Sequence, residues 1–424
     1  MTQAGDPAVR RAFPWLVVAG ILVAALSFRG HIVAPTPVLR DIAADLGIPS
    51  AQAGLLTTAP VLMFALLTPL AAIVIRRAGA ELALLLSLVG VLVGTVIRTL
   101  PGFGPLLIGM VVIGSAVTVG NVVTPVIIRR DVPGERVGVV TAAYTATLNV
   151  GSLLTTLLTA PVAEAVGWSL ALFGWASLTI GGIVLWGFCL ARERRAGGVS
   201  GERFSGAAPA PADAEGWDPA SLTGPTPVVV QRRGRSWLRR PVVWLLVGAF
   251  ALQAFLYYGF STWLPTMTAD LLGVGATSAG ALASLFQGVG IAGALLIPVL
   301  TRFTPRLVPA AVICVSWVVL ALGMLVAPES LWVWVSIGAM GHAGGFVVIF
   351  STLVAVARND AEATGMSALV QGGGYALGAT AAPLLGGVHD LTGGWTATLG
   401  ITLAVALGYA VLLMGAVISA ARSR

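Results

Sequence analysis

Two stretches of the chain, "PTPVLRDIAADLGIPSAQAGLL" (residues 35–56) and "WLPTMTADLLGVGATSAGALA" (residues 263–283), follow one plan. Each sets a proline near the end of an apolar run, then an aspartate, a glycine, a hydroxyl residue, and Ala-Gly at the opening of the next run. Pro37 and Pro265 lie 228 positions apart, Arg76 and Arg302 lie 226 apart, and Pro161 and Pro383 lie 222 apart. Three separate landmarks with nearly one offset describe a chain made of two parallel repeats.

The repeated unit belongs in a membrane. Of 424 residues, 57% are hydrophobic and only 10% charged, whereas a soluble domain carries about 25% charged residues. A membrane helix takes about 20 mostly apolar residues. Twelve runs qualify: 14–36, 51–75, 81–99, 104–128, 137–162, 168–190, 241–264, 277–301, 308–327, 331–356, 364–388 and 395–420. Pro60, Pro69, Pro125 and Pro298 fall inside runs, where neighbouring helices satisfy the freed backbone groups. No strand-type alternation appears, so a β-barrel is excluded. The expected fold is an all-α polytopic membrane protein, with twelve transmembrane helices in two six-helix parallel pseudo-repeats. At the N-terminus "VRRAFPWLVVAG" resembles a twin-arginine export signal, but the run that follows has span length and no small-residue cleavage pattern. An uncleaved first helix is expected.

All 24 basic residues are arginine, and the net charge is +7. The arginines cluster in short loops between apolar runs, which is a membrane pattern; no nucleic acid partner is expected. Twenty-one of them fall on one side of the array, Arg40 and Arg98 on the other, and Arg29 within the first run. By the positive-inside rule both termini are cytoplasmic, and the protein is placed in the cell inner (plasma) membrane. The domain reading is a cytoplasmic N-terminus (1–13), a six-helix bundle (14–190), a flexible cytoplasmic linker (191–240), a second six-helix bundle (241–420) and a short tail (421–424). The linker is rich in Pro, Gly, Ser and Ala, the composition of a chain that packs no core. Cys189 and Cys314 stand alone in apolar runs and read as packing residues. No metal, disulfide or cofactor is expected. Membrane lipids and a small-molecule substrate are the expected partners of a monomer.

Polar residues are unevenly spread over the runs. The third, sixth, ninth and twelfth contain no His, Asn, Gln or charge in their interiors. Helices facing lipid avoid unsatisfied polar groups, while helices around a cavity can hydrate them. The expectation is therefore four peripheral helices around eight that enclose a path. The candidate substrate-binding residues are Arg29, Asn121, Tyr144, Gln253, Tyr257, Gln287, His342, Gln371 and Tyr375. Gln253 and Tyr257 share a helix face, as do Gln371 and Tyr375. For Asn121, Asn149 and Gln287 a second reading stands, in which they bridge helices. Packing alone is the second reading for Tyr144. His31 and His342 are the candidate proton-coupling residues, with His31 also readable as facing a neighbouring helix end. The glycine runs "QGGGYALG" and "MGHAGG" lie within spans and lack a lysine, so they read as close helix crossings and not as phosphate loops.

Arg29 is the most expensive residue in the chain. It lies roughly 22 Å into its run at about 1.5 Å per residue, and a central arginine costs about 2.5–3.5 kcal/mol on insertion scales. No Asp or Glu lies inside any run; Asp41, Asp45, Glu164, Asp270, Glu329 and Asp390 are at or beyond run ends. Arg29 thus reads as a fixed positive charge whose partner is an anionic or strongly hydrogen-accepting solute, held by the guanidinium fork. The alternative ties it to carbonyl, tyrosine and glutamine oxygens.

Six-helix halves in parallel repeat are the organisation of major facilitator transporters, whose sites lie between the halves. The stretches "GNVVTPVIIRRDVPGERVGVVTAAYTATLN" (120–149), "ALQAFLYYGFSTWLP" (251–265), "SLFQGVGI" (284–291) and "QGGGYALGATAAPLLGGVHDLTGGWT" (371–396), together with the first-run arginine, resemble the cyanate permease and 2-nitroimidazole transporter family of that superfamily. The resemblance implies secondary transport of a small anionic or polar nitrogen compound, cyanate- or nitroimidazole-like, by alternating access. This chain departs from the family in two places. It reads Ser27-Phe28-Arg29-Gly30 where members have Asn-Leu-Arg-Pro, and His342 where they carry glutamine, so its solute need not be theirs. Drug or antibiotic efflux is the alternative within transport. A membrane-embedded enzyme would need a nucleophile–base pair or clustered ligands within the runs, and none is apparent; a receptor derived from the fold is the remaining alternative.

Overall fold

The computed structural model describes residues 14–195, 236–305 and 307–422, and its regular structure there is helical. The first half comprises α1 (Trp15–Val33), α2 (Leu39–Leu46), α3 (Ser50–Ala78), α4 (Ala80–Ile97), α5 (Phe103–Asp131), α6 (Gly134–Val166), α7 (Trp168–Gly174) and α8 (Ala176–Arg195). The second comprises α9 (Pro241–Leu272), α10 (Ala276–Phe303), α11 (Leu307–Val326), α12 (Leu331–Val356), α13 (Asp360–Gly378), α14 (Ala381–Thr392) and α15 (Trp395–Arg422). Of the linker expected over 191–240, the first residues extend α8 to Arg195, and Ser236–Arg239 form a 3-10 turn. Residues 196–235, the N-terminal segment 1–13 and the last two residues lie outside the described residues.

Among the described residues, 11 helical segments are long and apolar enough to cross a membrane, with α1 and α2 running as one and α7 and α8 as another. The sequence leads to twelve. The difference lies at 364–388, where the expected single helix is broken at Ala379–Thr380 into α13 and α14. Pro383 suits the break, although Pro125, Pro161 and Pro265 lie inside unbroken helices. It has no N–H to offer, and in a continuous helix its ring would crowd the carbonyl of Ala379 four residues earlier. In the first turn of α14 it is tolerated. The Thr380 hydroxyl donates to the Leu377 carbonyl at 2.7 Å, taking up an acceptor left by the interruption.

The repeat is visible in the packing. In the first half α1 packs on α6 and α8, α3 and α4 on α5, and α4 on α8. In the second half α9 packs on α13 and α15, α10 and α11 on α12, and α11 on α15. Each pair of the first set has its counterpart in the second. Large apolar side chains are exposed on α4 (Leu86, Val93), α8 (Val184, Phe188), α11 (Val315, Val326) and α15 (Leu407, Val411). These are the helices that the sequence leaves without polar interiors. They face outward because a lipid-exposed side chain needs no hydrogen-bond partner if it has no polar atom.

The backbone repeats as well. Gly47 (φ 61°) and Gly273 (φ 63°) end α2 and α9 in the left-handed region, and they lie 226 positions apart. A Cβ there meets the following carbonyl, at a cost of about 1–2 kcal/mol. Gly273→Ala is expected to lower stability by about 1 kcal/mol. By contrast Gly181, inside α8 with nothing within 4 Å of a new Cβ, should accept alanine with no loss of stability. Thermal unfolding of the purified variants distinguishes the two, and equal losses would remove the left-handed turn as the reason for the glycine.

Candidate functional site

A cavity of ≈ 110 Å³ lies between the halves. From the first half, α1, α3, α5 and α6 bring Arg29, Thr57, Phe64, Asn121 and Leu148; from the second, α9 and α13 bring Tyr257, Tyr258, Ser261 and Tyr375. None of its lining residues comes from α4, α8, α11 or α15.

The cavity is closed at one end. There α3 packs on α14 and α6 on α10, and polar links join the halves. Arg40 pairs with Asp270 at 2.6 Å, and the other oxygen of Asp270 accepts from the Trp395 indole at 2.9 Å. Thr262 donates to the Thr57 hydroxyl at 2.8 Å. The Glu164 carboxylate accepts from the Thr277 hydroxyl and backbone N–H, and Asp390 accepts from the Ala51 N–H. The crossing is close because residue 54 is glycine: a Cβ on it would stand 2.7 Å from the carbonyl carbon and oxygen of Ala382.

Arg29 extends from α1 into the cavity, half-buried, and crosses to the other half. Its Nη2 donates to the Tyr257 hydroxyl at 2.5 Å, and the guanidinium lies 5.2 Å from the centre of that ring. Among the described residues no carboxylate pairs with it. The alternative of a tyrosine oxygen is therefore met in part, but by a neutral partner that leaves the charge uncompensated. Around it the wall is aromatic: Phe64 packs edge-on against Tyr375 at 6.0 Å, and Tyr375 against Tyr258 at 6.4 Å.

The other candidates divide by depth. Asn121 and Tyr375 line the cavity with Arg29 and Tyr257. Tyr144 is buried behind Asn121 and donates to its Oδ1 at 3.2 Å. His342 is buried behind Tyr257, stacked on its ring at 4.6 Å and on Phe286 at 4.9 Å, with Nε2 unpartnered. Gln287 is buried on the same side, donating to Ser261 at 3.3 Å, with Oε1 unpartnered. Gln253 is placed away from the lining. It donates to the His342 carbonyl at 3.1 Å and accepts from Tyr409 at 2.8 Å, which ties α9 to α12 and α15. Gln371, one turn from Tyr375 and also outside the lining, donates to Ser367 at 2.9 Å. Helical periodicity put each glutamine on the tyrosine's side but not at its depth.

His31 lies inside the first half. Nδ1 donates to the Ser27 carbonyl at 2.7 Å, Nε2 stands 3.3 Å from the Thr179 hydroxyl, and that hydroxyl lies 2.6 Å from Ser27 Oγ. The ring is satisfied between α1 and α8, as its helix-facing reading requires. Tyr258, Ser261, Thr57 and Thr68 line the cavity without having been singled out. Tyrosine beside Tyr257 was the available signal for the first; hydroxyl residues in a helix usually return to their own backbone and give none.

Arg98 is the larger surprise. Counted from sequence among loop arginines, it is fully buried at the closed end. Its Nη1 donates to the His31 carbonyl at 2.9 Å and its Nη2 to the Leu172 carbonyl at 2.8 Å. Those oxygens belong to the last turns of α1 and α7, where carbonyls lack helical partners and the helix dipoles are negative. One guanidinium thus ties three helices together.

Residues 17–379 match the profile of the Major Facilitator Superfamily. The chain belongs to that superfamily. It is 30% identical over 387 residues to the 2-nitroimidazole transporter of Escherichia coli (strain K12), covering 91% of each chain. It is 27% identical over 408 residues to the uncharacterized transporter YycB of Bacillus subtilis (strain 168), covering 95% of this chain and 92% of that one. A bacterial homolog of the human lysosomal transporter Spinster, in its inward-facing and unoccupied conformation, superposes with a TM-score of 0.64 at 18% identity over 96% of this chain and 95% of that one. The same protein in its occupied inward-facing conformation gives 0.62 at 17% identity over 96% of this chain and 94% of that one. The superfamily chain is thus a multi-pass membrane transporter. Its arginines have separate offices, which substitution will separate. Arg98→Ala strands two buried carbonyls and should cost about 2–4 kcal/mol of stability, while ligand binding by the protein that remains folded is unchanged. Lost binding without lost stability would move Arg98 into the site.

Proposed function

We propose that this superfamily member transports a small anionic or polar nitrogen-containing solute, bound at Arg29 between the halves. The observation that carries the reading is the Arg29 guanidinium in the cavity wall, bonded to the neutral Tyr257 and to no carboxylate. A charge left unneutralised in a low-dielectric wall attracts an anion such as cyanate strongly, and the planar fork suits a carboxylate or a nitro group. The relative named for 2-nitroimidazole supports this class of solute. Size supports it over efflux of bulky drugs, because drug-sized ligands occupy pockets of about 300–1,000 Å³ and this cavity holds ≈ 110 Å³. Transport is favoured over catalysis because no histidine or carboxylate is among the lining residues to serve as a base.

Alternating access follows from two six-helix bundles, 14–190 and 241–420, rocking about the cavity. With the arginine-rich side in the cytoplasm of a bacterial inner membrane and both termini there, the closed end faces outward and the cavity is open to the cytoplasm. Thermal-shift measurements with cyanate, nitrate, short carboxylates and 2-nitroimidazole test the solute class. A ligand at about 100 times its Kd stabilises by about 2.7 kcal/mol. Arg29→Ala should weaken the binding of whichever anion stabilises the wild type by about 30-fold or more, in a protein that remains folded. Arg29→Lys should recover little, since a point charge lacks the fork. Ligand stabilisation retained in Arg29→Ala reassigns the arginine to structure.

For coupling, the titratable side chain against the Arg29–Tyr257 pair is His342, stacked on the tyrosine. If anion binding is coupled to proton uptake at this imidazole, affinity rises as pH falls. His342→Gln should flatten that rise in binding measured from about pH 5.5 to 8. A wild-type affinity that is already flat there makes the protein a uniporter or an exchanger.

A further inference from the structure

Helices α3 and α10 begin without caps of their own. The residue before α3 is Pro49, that before α10 is Gly275, and neither supplies a side-chain acceptor. The first N–H groups of a helix have no partner within it. Here the acceptors arrive from the opposite half. Asp390, near the end of α14, accepts from the Ala51 N–H at 3.3 Å. Glu164, near the end of α6, accepts from the Thr277 N–H at 3.3 Å and from its hydroxyl at 2.8 Å.

The two contacts are images of each other. Ala51 and Thr277 are the second residues of their helices and lie 226 positions apart; Glu164 and Asp390 also lie 226 apart. That is the offset of the two left-handed glycines. The Arg40–Asp270 pair has no image: at this offset Arg40 meets Thr266, and Asp270 meets Ala44. A carboxylate at a helix N-terminus satisfies an orphan donor and faces the positive end of the dipole. Each half thus completes a helix of the other.

We propose that Glu164 and Asp390 are matched gate residues of the transport cycle. They hold this end closed by capping in trans the first turns of α10 and α3, and both caps are released in one step when the end opens. The symmetry gives the reason for a single step. Because the two crossings are related by the repeat, a symmetric tilt of the halves that parts α6 from α10 also parts α3 from α14. Both sites are solvent-exposed, so the freed N–H groups hydrate and each cap biases the equilibrium only modestly, by about fivefold as for an ordinary N-cap. The pair is worth about 25-fold if the two act independently. A bias of that size closes the end without locking it. The proposal does not depend on which solute is carried.

Spin labels on Ala44→Cys in α2 and Leu391→Cys in α14 report the distance between the halves at this end; both positions are exposed, and Cys189 and Cys314 are replaced by alanine. In the purified full chain, Glu164→Ala and Asp390→Ala should each raise the ratio of long to short distances about fivefold, and the double variant more than either. Asp45→Ala is the control, because Asp45 accepts from Trp168 within the first half at the same end, and it should leave the ratio unchanged. A fourth variant removes loss of folding as an explanation. Gly275→Ser puts an acceptor at the N-cap of α10 in cis, where a Cβ meets nothing within 4 Å. It should preserve or raise thermal stability, yet shift the distances toward opening, because the helix no longer needs Glu164. Distances in the double variant that superpose on the wild type overturn the proposal. So does an equal shift in Asp45→Ala, or a Gly275→Ser protein that opens no more readily than the wild type.

Discussion

Contact between the halves is most extensive at two helix crossings, α3 against α14 and α6 against α10, and the rest of the molecule is arranged around them. Both crossings are tight at one end, where Gly54 admits the backbone of Ala382. Rigid helices that meet at one end diverge toward the other. The cavity below the crossings is therefore a geometric result of where the halves touch. Arg29 belongs to that space because α1 packs on α6 and brings the residue to the seam. A guanidinium on a lipid-facing helix at that depth would be costly; at the seam it meets the Tyr257 hydroxyl and the cavity.

Much of this was legible in the sequence, for reasons that can be named. Hydrocarbon demands apolar runs of a set length, so the spans are written in composition. Lipid rejects unsatisfied polar atoms, so the four outer helices are written as absences. The repeat shows in turns and prolines because backbone geometry restricts residue type most severely there, as at Gly47 and Gly273. What stayed hidden depends on depth and on rotation about the helix axis. Gln253 and Tyr257 share a face, yet one bonds to Tyr409 inside the second half while the other reaches Arg29. Tyr144 and His342 support residues that touch the cavity instead of lining it. The burial of Arg98 was not legible because an arginine next to a loop usually snorkels, and no sequence rule says that carbonyl ends from two other helices will converge on it.

The two membrane arginines illustrate how one side chain takes opposite roles. Arg98 has its charge spread over carbonyl oxygens at helix ends, where the acceptors are backbone and fixed. Arg29 has a phenol, which holds the fork without neutralising it. Fixed acceptors make a staple. A neutral acceptor leaves the charge uncompensated, which is the feature the proposed function uses.

The interruption between α13 and α14 carries a mechanical consequence. Tyr375 stands four residues before the break at Ala379, while α14 beyond it is seated on α3. An unbroken rod would transmit any tilt of its outer end in full to the aromatic wall. A jointed one attenuates it, because the helix is interrupted at Ala379–Thr380 between Tyr375 and α14. The second half thus has an elbow where the first half, with Pro161 inside the unbroken α6, has a strut. Two repeats of one design are therefore jointed differently, and the interrupted helix carries the tyrosine.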